Sequence, residues 1–125
     1  MNIRQGFLVL AAVGLTPIAL GYGLVPSKSL EYLFGVSVQN VNGAHIFRAV
    51  MGLYLALALF WIMGAYKAHL RQAALYSLVV FMLGLAAGRL LSLAADGAPH
   101  WLLLVYLALE IGFGVVGMQL LKRSD

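Results

Sequence analysis

PHWLLLVYLALEIGFGVVGMQLL, residues 99–121, decides the class of this protein. It carries one charge, Glu110, in the middle of an otherwise apolar run. A helix needs about 20 mostly apolar residues to cross a bilayer. Three further segments meet that test, at about 5–25, 44–65 and 71–93. Across all 125 residues, 63% are hydrophobic and 10% are charged, against about 25% charged in an ordinary soluble domain. A soluble fold of this length has no means of hiding so much apolar surface. The expected fold is therefore all-α: an integral membrane four-helix bundle with up-down topology, forming a single domain over 1–125.

The absence of cysteine excludes a disulfide framework, a thiol nucleophile and a CxxC redox pair. The pI near 9.7 does not point to nucleic acid, because the basic residues are few and most stand at segment ends. There they set orientation. Arg4, Lys67, Arg71, Lys122 and Arg123 fall on one side of the four spans, and Lys28 alone falls in a connection on the other. The imbalance predicts both termini in the cytoplasm. Arg4 before an apolar run resembles a signal peptide, but the run is too long and no A-x-A site follows it. It is expected to be a retained first span, kinked at Thr16-Pro17.

Tight links, AYKAHLR at 65–71 and ADGAPH at 95–100, join the last three spans. The first connection, VPSKSLEYLFGVSVQNVNG at 25–43, is longer and half apolar. Its LEYLFGV either lies in the interface as a short amphipathic helix or packs on the bundle as an ordered loop. YLAL occurs twice, at 54–57 and 106–109. This marks either a duplicated hairpin or chance likeness between leucine-rich spans.

Three charges lie inside predicted spans: Arg48, Arg89 and Glu110. Glu110 is near the midplane, ~15 Å past His100 at about 1.5 Å per residue. A lone charge at that depth costs at least ~2.5 kcal/mol, and pairing is the simplest relief. Arg89 is the expected partner, because spans joined by a tight turn are neighbours. Arg48 is expected to border the same pocket. Arg89, Ser92 and Asp96 share a face at spacings of three and four, so Asp96 can balance the second arginine. Tyr106, Glu110, Gly114 and Gly117 form one stripe, as do Asn42, His45, Arg48 and Gly52. The inferred ligand-binding set is Arg48, Arg89, Glu110, His45, Asp96, Ser92, Tyr106 and Asn42.

His45 is either a proton carrier or a polar residue at the outer end of its helix. His100 reads as interfacial, and His69 has no assigned role. No HxxxH or HxxE spacing occurs, so zinc, di-iron and bis-histidine haem have no support and no cofactor is expected. Gly84 and Gly88 form GxxxG beside Arg89 and serve either packing within the chain or a homodimer face. Trp61, Tyr66, Tyr76, Tyr22, Tyr32 and Trp101 are expected to form an interfacial belt.

NGAHIFRAVMGLYLALALFWIMGA, LRQAAL, LGLAAGRLLSLAADGAP and LEIGFGVVGMQLLKR, within about residues 40–123, resemble an uncharacterised bacterial family of short four-helix membrane proteins, a domain of unknown function. The four-span layout is also distantly similar to the DoxX-like group, some of whose members are tied to quinone-linked redox chemistry. The resemblance implies a multi-pass protein of the bacterial cytoplasmic (inner) membrane and names no activity. Small multidrug transporters also use one buried glutamate, but in their first helix, where this chain has no acid.

The expected function is a membrane-embedded module that binds a small anionic molecule or lipid in an outward-facing polar pocket. The rivals are a proton-coupled transporter working as a dimer and a structural accessory subunit of a larger complex. An enzyme with Glu110 and His45 as acid and base has less support, since apart from Ser92 no nucleophile stands out. The expected partners are the lipid bilayer and that ligand, with a homodimer as an alternative and no nucleic acid. Reporter fusions test the charge imbalance: tags at either terminus are expected to read cytoplasmic, and a tag in the 95–100 link to read external.

Overall fold

An apolar segment in lipid must satisfy its backbone internally, and an isolated span does so as a helix. The computed structural model describes residues 1–123. Ser124 and Asp125, the last two residues of the domain expected over 1–125, lie outside the described residues. Among the described residues the chain forms five helices: α1 (Ile3–Gly23), α2 (Pro26–Phe34), α3 (Val41–Tyr66), α4 (Ala68–Asp96) and α5 (Trp101–Leu121). All but α2 are long and apolar enough to cross a membrane, which marks a multi-pass membrane protein.

The helix ends follow local chemistry. Asn2 caps α1 in a reciprocal capping box with Gln5, and the Asn40 side chain accepts the Gly43 N–H to cap α3. α1 runs unbroken through Pro17, while the Thr16 hydroxyl bonds back to the Ala12 carbonyl at 2.8 Å. α2 falls inside the long first connection. Pro26 opens it with a φ suited to a first turn, and Gly35 closes it at φ 72°, a left-handed cap that favours glycine. Its buried residues are Pro26 and Leu30. The connection is thus helical and also packed on the bundle.

The most extensive packing is between α1 and α3, followed by α4 with α5 and α3 with α4. One end of the bundle is tied by polar contacts. Arg71 of α4 donates to the last carbonyls of α3, Gly64 and Ala65, at 3.2 and 2.9 Å. Gln5 of α1 also donates to Ala65, at 3.0 Å. The cation there suits the negative end of the α3 dipole. At the other end α2 packs against α1, α3 and α5.

Leu8, Ala11, Ala12, Leu15 and Ala19 of α1 share one core with Tyr54, Ala58, Trp61 and Ala65 of α3 and with Ala74, Leu75, Leu78 and Met82 of α4. Trp61 belongs to this core rather than to an interfacial belt. It is fully buried and its indole donates to Ser77 at 3.0 Å. Tyr32, Tyr66, Tyr76 and Trp101 are exposed.

Lipid tails are as apolar as leucine, so close backbone approach holds such a bundle together. Gly64 lets α3 meet α4: a Cβ there would strike the Ala74 Cβ. On α5, a Cβ on Gly114 would strike Leu83 and one on Gly117 would lie 2.7 Å from Val79. Gly84 and Gly88, the GxxxG of α4, have nothing within 4 Å of an added Cβ. Gly64→Ala is therefore expected to lower stability by about 1–3 kcal/mol through overpacking, whereas Gly84→Ala is expected to cost nothing. Thermal unfolding in detergent, compared between the two variants, checks this.

Candidate functional site

Glu110 sits nine residues into α5, ~14 Å from its start, and Arg89 seven residues before the end of α4, ~10 Å. The turn through Gly97, at φ 101°, brings the two helices together. Arg89 Nε donates to both carboxylate oxygens of Glu110, at 2.8 and 3.0 Å. Glu110 is the sole buried charged residue among those described. Its stripe partners Gly114 and Gly117 are also buried, as the spacing requires.

The guanidinium has two further neighbours. Nη2 donates to the Tyr22 hydroxyl of α1 at 3.3 Å, and the Tyr106 ring lies 5.8 Å from the guanidinium carbon, within cation–π range. Arginine has five N–H donors. One is shared by the Glu110 oxygens and one serves Tyr22, so those of Nη1 and the second of Nη2 meet no acceptor among the described residues.

Two spaces flank the pair. Between α4 and α5 runs a groove of about 340 Å³ whose walls include Gly84, Gly88, Leu103 and Leu107 and whose polar side chains are Arg89 and Ser92. The two α4 glycines thin the helix there. Behind the pair is a smaller cavity of about 70 Å³, bounded in part by Glu110, Tyr54, Tyr106 and Met82. The groove touches the arginine and the cavity touches the glutamate.

Aromatic rings close the α2 end. Tyr22 stacks on Phe34 of α2 at 5.9 Å and on Phe47 at 6.3 Å, and meets Tyr54 edge-on at 5.6 Å. Phe34 in turn meets Tyr106 at 5.9 Å and His100 at 6.3 Å. α2 is thus a cover whose Phe34 stands over the site.

Arg89, Glu110, Tyr106 and Ser92 come together. Asp96 accepts the Ser92 hydroxyl at 2.7 Å at the exposed end of α4, so it reaches the site only through Ser92. Asn42, His45 and Arg48 are exposed. His45 and Arg48 line a separate surface hollow with Val41, Ala44 and Ala49. Arg48 precedes Tyr54 by six residues, which at ~100° per residue turns it about 120° from the buried face of α3. The arginine excess expected at Glu110 is therefore absent: one arginine faces one glutamate. Sequence reasoning missed Tyr22, Phe34 and Tyr54. Tyr54 had a signal, since it heads the first YLAL as Tyr106 heads the second; Tyr22 and Phe34 had none.

Residues 3–121 match the model of a family described as Domain of unknown function (DUF4345). The chain belongs to that family. The match takes in α1 and α2 as well as the helices that carry the site. No curated protein and no solved structure matches the chain. The family description names no activity, so the chemistry rests on the geometry.

Breaking a buried pair strands a charge, while replacing both partners by apolar residues does not. Arg89→Leu is expected to cost about 3–5 kcal/mol. Arg89→Leu with Glu110→Leu should recover most of that loss. Denaturation of the single and double variants in detergent measures the difference.

Proposed function

We propose that this protein is a membrane-embedded binding module for a small amphiphile whose polar end carries oxygen acceptors, an anionic molecule or a lipid. One observation carries the reading: Arg89, with N–H donors that meet no acceptor among the described residues, lines a mostly apolar groove between α4 and α5 together with Ser92. Polar residues at membrane depth are commonly sites. The tail would lie along Gly84 and Gly88 and the head would meet Arg89 and Ser92. Glu110, Tyr22 and Tyr106 would hold the guanidinium in place.

The wider setting belongs to the same proposal. The bundle runs up and down with both termini in the cytoplasm, by the Lys/Arg imbalance. α2 and the groove's polar end then face outward. The host membrane is a bacterial inner membrane, and the relationship to DoxX-like proteins is a distant likeness of layout. One observation favours a second reading. The open Gly84 and Gly88 would also admit a helix of a second copy, which would make the groove a homodimer seam.

Native mass spectra of the detergent-purified protein test the reading. Wild type should retain a small molecule or a particular lipid. Arg89→Ala should lose it, and so should Gly88→Leu, which fills the groove without touching the ion pair. Empty wild-type protein, with Arg89→Ala merely less stable, would leave the pair a structural tie. A dimer that persists in wild type and dissociates in Gly88→Leu would select the second reading.

A further inference from the structure

The charge balance of the same groove limits what can bind there, and the inference from it rests on the binding reading above. Arg89 and Glu110 are one cation and one anion in contact. Arg89 lines the groove and Glu110 does not, and Arg89 holds Glu110 through Nε. A ligand can therefore meet Arg89 without displacing Glu110. If that ligand is an anion, the site then holds two negative groups and one positive group in apolar surroundings.

Groups near Glu110 from each packed helix are few. α4 brings Arg89, α1 brings Tyr22, α3 brings Tyr54, and α5 itself brings Tyr106. α2 brings Phe34, which does not titrate. Arg48 is on the exposed side of α3, and Asp96 is bonded to Ser92 at the exposed end of α4. Among the described residues no Lys or Arg besides Arg89 lines the groove or the cavity, and the His100 imidazole, next to Pro99 of the groove wall, accepts the Leu102 N–H through Nδ1. Two anions that share a site retain a proton between them. Glu110 is the group placed to take it, with Tyr54, Tyr106 and the small cavity at its back.

We infer that the groove binds an amphiphilic anion together with one proton, which Glu110 holds while the anion occupies the free side of Arg89. The ligand class is then an alkyl or acyl chain ending in a carboxylate, sulfonate or phosphate. Binding strengthens as pH falls. An uncharged amphiphile would enter with no proton and no pH dependence.

Decanesulfonate is a suitable probe because its own charge does not titrate, and decyl maltoside is its uncharged counterpart. Each would be titrated calorimetrically into wild-type protein in zwitterionic nanodiscs, from mildly acidic to mildly alkaline pH. Buffers of different ionisation enthalpy count the protons. The expected result is uptake approaching one proton per sulfonate, with affinity falling about tenfold per pH unit on the alkaline side. Glu110→Gln should bind the sulfonate with no pH dependence. The proton count needs only the wild type, so a poorly folded variant does not spoil the test. Sulfonate binding that is flat with pH and takes up no proton would overturn the inference. So would binding of the maltoside alone, which would leave the groove as a site for neutral amphiphiles. If neither probe binds, the groove reading itself fails and the proton linkage falls with it.

Discussion

The contact between Arg89 and Glu110 is the constraint on which the rest of the site depends. A carboxylate that deep in an apolar helix has to be paired, and the partner must come from a helix close enough to reach it. The turn through Gly97 puts α4 beside α5, and Gly114 and Gly117 let them approach at the right height. Once the pair is made, the relative rotation of both helices is set. Tyr106 then falls under the guanidinium, and Ser92 falls on the groove side of α4. The pair is weak evidence for stability as such, since an apolar replacement can pack as well. Its specific effect is on register.

Two sets of glycines divide the work on either side of that contact. Gly114 and Gly117 on α5 and Gly64 on α3 have neighbours where a Cβ would sit, so they bring helices together. Those on α4 at 84 and 88 face open space and make a wall of the groove. The same residue type thus supplies adhesion on one helix and room on another. The aromatic rings add a third element. A continuous run of edge and stacked contacts joins Trp61, Phe81, Tyr54, Tyr22 and Phe34. It connects the core to α2, so the cover over the site and the packing of the bundle are one structure.

Residue spacing made part of this arrangement legible. Four apolar runs named the four long helices, with ends within a few residues of those observed. The tight 95–100 link implied that Arg89 and Glu110 are neighbours, and the stripe through Glu110, Gly114 and Gly117 is the buried face of α5. The stripe through Asn42, His45, Arg48 and Gly52 was equally regular, yet it faces outward. Nothing in the spacing distinguished the two cases. In water an apolar stripe identifies the inward face, but α5 is apolar all round and lipid accepts any such face. The phase of each helix was therefore hidden except where a charge demanded a partner.

By itself the sequence determined the membrane class, the number of long helices and the need for an arginine at Glu110. These follow from length, hydropathy and the cost of a lone charge in lipid, all of which are local. Only the tertiary structure decided which way Arg48 turns, that Tyr22 and Phe34 belong to the site, and which glycines stay open. Those are matters of helix rotation and close approach, which depend on how neighbouring helices fit together.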